Sequence, residues 1–575
     1  MSRFRLHAPK QNQQILLTPG WEKIDAILND NRQQFQEANF CVGGSSFQDF
    51  RRKLRLEITQ SIVSYFEQSG EQIPPILQEM LTCQSSKTAL ADRPWIVSGH
   101  QPELYHPGVW VKHFALNQIG REHQLIPLHL IVDTDTIKST SIRVPVFHSQ
   151  EEVELKSIPF DEYSGEIPYE FRRVQSPDLW DHFYRKVQDL TRNWPEKPMI
   201  EKVWPTIQRQ YQNCQNIGES FSRARRDMER SWGCFNLEIP MSWVSQCSSF
   251  REFVAWFLDD LPEWHRVHNQ ILCQYRKENR IRSSRHPFPD LAVEKDSARS
   301  VATRAVKDAS TDFSLSNDDE GQEDNLWYEA PFWAYVREDK NHAERESANG
   351  ESASSSQMAF GQRNRLWVKR TRNGKEYRAG NKIFTELPEV RTKAFTTTLF
   401  ARFFLGDLFI HGLGGGIYDE VTDRIMKARL AGIVPHYLIN TATIHLESSD
   451  HNGPPVSHQD WVDKKQDLRR TYWNPQQYVP ADDLVRLAKE ELIRQQPTEK
   501  KGRKDRYRKL LEYTMQMREP LFPQYQEKQQ QLLLLKKYLD ARAKATRRDF
   551  CCWLFSESSL KEFYSLSSLR RSQES

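Results

Sequence analysis

The chain has 575 residues and carries 81 Lys and Arg against 77 Asp and Glu, a formal charge of +4. That length exceeds one compact core, so roughly two to four structural units are expected, while the near-balanced charge argues against a dedicated nucleic-acid binder. A hydrophobic fraction of 38% and a mean hydropathy of −0.75 require part of the chain to be polar helix, linker or disorder. No uninterrupted apolar run nears the ~18 residues of a membrane span, and the N-terminus lacks an apolar signal segment. A soluble, cytosolic protein is expected. The eight cysteines (Cys41, Cys83, Cys214, Cys234, Cys247, Cys273, Cys551 and Cys552) form no CxxC pair and have no His-rich companion. They read as reduced thiols, and no structural zinc site is expected.

Residues 1–90 read as a helical layer. A first helix follows Thr18-Pro19-Gly20, and Leu54, Ile58, Ile62 and Tyr65 give a second one an apolar face. Residues 91–150 read as the first half of a parallel-sheet core. Trp95–Ser98 is an apolar strand, Gly99–Pro107 a loop, and Pro107 sits where a helix accepts it. Pro127–Val132 is the next strand and ends in Asp133 and Asp135. This is one βαβ crossover, whose ligand site lies outside the carboxyl ends of its strands. His100 and Gln101 belong to that loop, beside backbone amides that favour anions. On the helix, Val111, Ala115 and Ile119 form one stripe. His106, Trp110, His113 and Asn117 form another, which faces either solvent or a second unit closing over the site.

Residues 151–290 read as a helical insertion with aromatic stripes such as Trp180, Phe183 and Tyr184. Arg280, Arg282, Arg285 and His286 then form a basic cluster that either grips an anion or is a solvated turn. Residues 291–365 read as two flexible, Ser-rich insertions around a short core segment at Trp327–Trp333. Residues 366–475 read as the second half of the core. Leu408–Ile410 is a strand, His411–Gly416 a Gly-rich loop, a helix starts near Tyr418, and Pro435–Leu446 is the next strand. The glycines either present amides to an anion or make a tight turn while Asp419, Glu420 and Asp423 complement the helix dipole. The spacing fits neither a P-loop nor a dinucleotide fingerprint. Residues 456–480 read as a polar loop. Residues 476–547 read as a helical hairpin or coiled coil interrupted by Pro520 and Pro523, and residues 548–575 as a terminal strand (Phe550–Phe555) and helix.

The run Ser98-Gly99-His100-Gln101-Pro102, followed by Pro107-Gly108 and a helix bearing Lys112, resembles the first loop of the cysteine-adding enzymes of bacillithiol biosynthesis (the BshC family). Theirs is a Gly-Gln-Gln loop, then a Gly-Pro and a helix with Tyr and Lys. Ile126–Val132 with Asp133 and Asp135 is similar to their next, acid-ended strand. Asp407–Tyr418 resembles their Gly-rich segment, and the late hairpin resembles their coiled-coil arm. The resemblance covers two motif regions and the architecture. It departs at His100, where Gln is usual, and at Asp133-Thr134-Asp135, which replaces a longer acidic run. It implies a Rossmann-like, nucleotidyltransferase-related α/β core with helical insertions, and a ligase that adds cysteine to a glucosaminyl malate.

The site expected from these readings joins an amine to a small anionic acceptor. His100, Asp133 and Asp135 are its expected catalytic groups. Gly99, Gln101, His106 and Lys112 are expected to bind substrate from the first loop and helix, and Arg282 and Arg285 to neutralise its charge. His411, Gly412, Gly414, Gly415 and Tyr418 are expected to form the opposite wall. Two other classes remain open: a nucleotidyltransferase using His100 and His106 on a nucleoside triphosphate, and a catalytically silent interaction scaffold. The cofactor stays open, a nucleotide being the one considered, and no metal is expected. Expected partners are a small anionic molecule and a second copy of the chain through the hairpin, with neither nucleic acid nor membrane.

Overall fold

The computed structural model describes residues 6–81, 91–284, 286–295, 326–336, 363–372, 374–446 and 457–571. Strand β1 (Gln14–Thr18) and helix α1 (Ile24–Glu37) come first. A clip of β2 (Cys41–Val42) and β3 (Ser45–Ser46) leads into α2 (Phe47–Ser69), whose first turn is capped by the Ser46 hydroxyl accepting from the Asp49 amide. β4 (Trp95–His100), α3 (Pro107–Glu122) and β5 (Ile126–Ile131) form the crossover expected around Asp133. Every side chain of β5 is buried, the mark of a strand covered on both sheet faces.

The stretch expected to be a helical insertion contains strands as well. β6 (Ser141–Ser149) and β7 (Glu152–Pro159) pair as an antiparallel hairpin. Helices at Pro177–Thr191 and Ile200–Cys214 and α4 (Ile217–Ser231) follow. Then β8 (Leu237–Pro240), wholly buried, pairs in parallel with β5. Four buried residues are too few for either periodicity to register. Helices Ser248–Asp259 and Leu261–Asn279 complete the insertion.

β9 (Val293–Lys295), β10 (Leu326–Tyr335), β11 (Arg363–Thr371), β12 (Gly374–Ala379), β13 (Lys382–Phe384) and β14 (Glu389–Thr392) build a separate antiparallel sheet. Trp327–Trp333 and Leu366–Val368 therefore belong to this second sheet and not to the parallel one. The insertions expected to be flexible, 295–325 and 338–357, lie outside the described residues apart from Lys295, which ends β9.

β15 (Leu408–His411), α5 (Leu413–Arg429) and β16 (Tyr437–Thr443) return to the first sheet. Its order is β1-β16-β15-β4-β5-β8. Five strands run parallel, and β1 pairs antiparallel with β16 at the edge, so the N-terminal layer contributes a strand that its helical reading had not included. From the central neighbours β4 and β15 the chain leaves in opposite directions, to β5 on one side and β16 on the other. Such a reversal opens a crevice at the carboxyl ends of the two strands.

A helix at His458–Trp473 begins with a capping box of Ser457 and Asp460 where a polar loop was expected. Beyond a helix at Leu484–Arg494, α6 (Lys500–Ala545) runs unbroken through Pro520 and Pro523. Both prolines are exposed, so water can serve the carbonyls they leave free, while Lys528 and Asp467, 2.7 Å apart, tie α6 to the helix at His458–Trp473. Phe550–Phe555, expected as a strand, is instead a buried 3-10 turn at Cys552–Leu554. Trp553 packs on Trp110 at 4.9 Å, and the Cys552 amide donates to the Tyr105 carbonyl at 2.7 Å.

Candidate functional site

The crevice between β4 and β15 opens into a cavity of about 540 Å³. Gly99, His100, Gln101, His106 and Lys112 line it from the first crossover, and His411, Gly412, Gly414, Gly415 and Tyr418 from the second. The two turns expected to face one another do so. Asp135 also lines it, accepting from Gln101 Nε2 at 2.7 Å with Arg363 Nη1 3.6 Å away.

The starts of α3 and α5 meet at the floor. His106 caps α3, its Nδ1 accepting from the Gly108 amide at 3.1 Å. α5 begins at Leu413, earlier than the expected Tyr418, so Gly414, Gly415 and Gly416 lie in its first turn and Gly412 is its N-cap. None of these glycines has a positive φ. Their smallness serves close approach: a Cβ on Gly416 would stand 2.4 Å from Ile439 Cδ1, and one on Gly415 2.8 Å from His411 Nδ1.

Lys112 is 2% exposed. Its one hydrogen-bond partner among the described residues is the Gly99 carbonyl at 3.2 Å, and burial pulls its pKa down to about 8. Glu103 acts on the ammonium electrostatically, but none of the ion pairs among the described residues includes Lys112, and a buried ammonium so placed beside two helix N-termini is a receptor for an anion. Arg548 closes that end, its Nη2 donating to Thr441 Oγ1 at 2.8 Å. His100 Nδ1 faces the Gln101 carbonyl at 3.1 Å, which fixes the ring proton there and leaves the Nε2 lone pair. Burial, with Lys112 nearby, holds His100 neutral, well below the ordinary histidine range. Burial likewise lowers His106 to about 4.

His411 has a carboxylate behind it. Its Nε2 lies 2.5 Å from Asp419 Oδ2, and Asp419 also bonds Arg402. Burial opposes the Asp419 carboxylate, but Arg402 and His411 outweigh it and keep its pKa below the usual range. Asp419 and Asp423 thus hold specific partners (Arg402 lies 2.8 Å from Asp423), beyond any general complement to the helix dipole.

Two expected site residues, Asp133 and Arg282, do not line the cavity. Asp133 is buried and turned away, accepting from the Ser242 amide at 3.0 Å and from the Ser242 hydroxyl. Burial, then Glu170, raises its carboxyl to about 7. Arg282 is exposed on the surface and does not line the cavity, although Pro287 and Phe288 of the same loop do. Arg285 lies outside the described residues. The stripe of Trp110, His113 and Asn117, expected to face solvent or a closing unit, is buried because α4 and the C-terminal turn pack over it.

Sequence reasoning missed Trp333, Arg363, Thr392, Lys393, Thr441 and Arg548, which also line the cavity. Lys393 Nζ lies 4.5 Å over the Trp333 ring and pairs with Glu329 at 2.7 Å. Trp333, Arg363, Thr392 and Lys393 belong to the second sheet and its edge, Thr441 to β16, and Arg548 follows the long helix α6, so no spacing links them. Searches of protein-family models and of curated proteins find no match to the chain.

Among the described residues no helix is long and apolar enough to cross a membrane.

Proposed function

We propose that the chain is an enzyme joining an amine-bearing substrate to a small anionic acceptor, in a Rossmann-like, nucleotidyltransferase-related cleft. This is the chemistry implied by the resemblance to the cysteine-adding ligases. The observation that carries the reading is Lys112, a buried and unpaired cation between the starts of α3 and α5 at the sheet's switch point. The acceptor's carboxylate or phosphate would sit against Lys112, the α5 amides and Arg548. The amine would approach Asp135, the acidic group lining the cavity. His100, neutral with its Nε2 lone pair free, would accept a hydrogen bond from that amine and orient it. Positioned cations can stabilise developing charge without a covalent nucleophile.

One specific observation favours a second reading. Lys112, Lys138, Arg363, Lys393 and Arg548 all line the cavity, more cationic charge than one carboxylate needs, which suits a nucleoside triphosphate. Calorimetric titration of malate, inorganic phosphate and Mg-ATP into the parent chain and into Lys112→Met tests both. Binding of malate or phosphate that is lost in the variant supports the first reading, binding of Mg-ATP alone supports the second, and failure of all three to bind removes both. Seven described cysteines, all free thiols, suit a reducing cytosol. A homodimer through the C-terminal helices is part of the same reading, supported by exposed apolar side chains such as Leu484, Met515 and Leu533.

A further inference from the structure

Beneath the cavity floor lies a second cluster that this chemistry does not use. His113 on α3, His129 on β5 and Glu238 on β8 are all fully buried. His129 and Glu238 are direct register partners across the parallel pair. One potential ligand atom from each of the three converges to within 4.8 Å of the others. His113 Nε2 and both ring nitrogens of His129 have no hydrogen-bond partner. A buried polar atom left so costs about 1–3 kcal/mol, and three together call for an explanation.

The surroundings fix the free lone pairs. His113 Nδ1 lies 2.9 Å from Glu229 Oε1. Arg225 Nη1 is also 3.1 Å from that nitrogen, but its two protons go to Glu229 Oε2 at 2.8 Å and Glu238 Oε1 at 2.7 Å. Glu229 therefore accepts the hydrogen bond from the His113 Nδ1–H, which leaves Nε2 unprotonated with its lone pair free. On Glu238, Oε2 accepts from both Arg225 and Arg226, at 2.8 and 2.6 Å. Oε1 accepts only from Arg225 and keeps one lone pair. A histidine backed by a carboxylate, beside a second free imidazole and a carboxylate oriented by guanidinium groups, is the outer-shell arrangement of a metal ligand set. Within this hydrogen-bonded set Glu71, Glu229 and Glu238 outnumber Arg225 and Arg226 by one charge, and the nearby Lys112 ammonium offsets that excess, so the case for a cation rests on the free ligand atoms and not on net charge.

We infer that His113, His129 and Glu238 bind a first-row divalent metal ion of the zinc class, which pins α3 to β5 and β8 under the cavity. Two imidazoles and a carboxylate match that class. Cysteine spacing gave no hint of it, because the three ligands come from separate elements and none is a thiol. The inference is independent of the proposed reaction.

The test uses the full-length chain, stripped with a chelator and titrated with cobalt(II) and then zinc. Uptake of about one equivalent, visible cobalt d–d bands and a rise in Tm on zinc addition are expected. Glu229→Gln should weaken zinc binding by about ten- to a hundredfold, and His129→Phe should abolish it. No uptake by the stripped parent, or uptake unchanged in His129→Phe, would overturn the site. Should His129→Phe not fold, ring-nitrogen NMR of the parent decides: zinc must shift the His113 and His129 signals, and unmoved signals reject the proposal.

Discussion

Lys112 carries its charge at the expense of burial, which brings its pKa down to about 8. The ammonium form dominates near neutral pH and is lost as pH rises through that value. Anion binding should therefore weaken above pH ~8, and binding at or above that pH should be accompanied by proton uptake as the anion raises the lysine pKa. Lys112→Met should lose about ten- to a hundredfold in malate or phosphate affinity, the worth of a hydrogen bond to a charged group. The variant's affinity should no longer fall above pH ~8, as calorimetry across pH would read. Asp133 obeys the opposite sign. Its folded pKa of about 7, set by burial and Glu170, lies above the ordinary carboxyl value of about 4. The folded state therefore holds an extra proton between these values, and stability falls as pH rises through that window. Asp133→Asn cannot ionise, so its Tm relative to the parent should climb from pH 5 to pH 8. Identical Tm profiles for variant and parent would show that Asp133 is not the titrating carboxyl.

At the scale of the element, the glycines distinguish packing from access. A Cβ on Gly108 would stand 2.5 Å from the Ala442 carbonyl oxygen and from Arg548 Nη2, so α3 seats on β16 only because that position is bare. Gly108→Ala should cost about 1–3 kcal/mol in denaturant unfolding. A Cβ on Gly414 meets nothing within 4 Å. Gly414→Ala should keep parental stability while reducing ligand affinity, because the methyl group enters the cavity wall. These crossovers were legible in the sequence. An apolar strand, a Gly- or His-bearing turn and a helix recur in both, and the pattern located His100, Lys112, His411 and Gly414 on one cavity. What stayed illegible has physical causes. β8 is four buried residues inside an aromatic-rich helical region. Asp133 and Asp135 are two residues apart on one turn, and only packing against Ser242 decides that one turns in and the other lines the cavity. Pro520 and Pro523 read as breaks because a single sequence does not reveal that both fall on the exposed face of a helix supported by its neighbours.

At the scale of the molecule, the cavity is assembled from segments that never approach one another in sequence. Lys112 comes from the first crossover and Arg548 from the turn after α6, and both line the same cavity. The C-terminal segment packs on the loop and helix beside Arg548: the Cys552 amide donates to the Tyr105 carbonyl at 2.7 Å, the Tyr564 hydroxyl donates to the Pro107 carbonyl at 3.1 Å, and the Tyr564 ring stacks on Phe114 at 4.3 Å. If one anion bridges the two cations, removing either leaves the other to take up part of its role, and their contributions cannot simply add. A double-mutant cycle of Lys112→Met and Arg548→Met, read as malate or phosphate affinity, should give a coupling energy of at least about 0.5 kcal/mol. Trp553→Ala, which loosens the turn by removing a buried indole from Trp110, should lower stability by about 3–5 kcal/mol. In the protein that remains folded it should also reproduce the affinity loss of Arg548→Met. Strictly additive losses in the cycle would place Lys112 and Arg548 on different ligands and separate the C-terminal turn from the site.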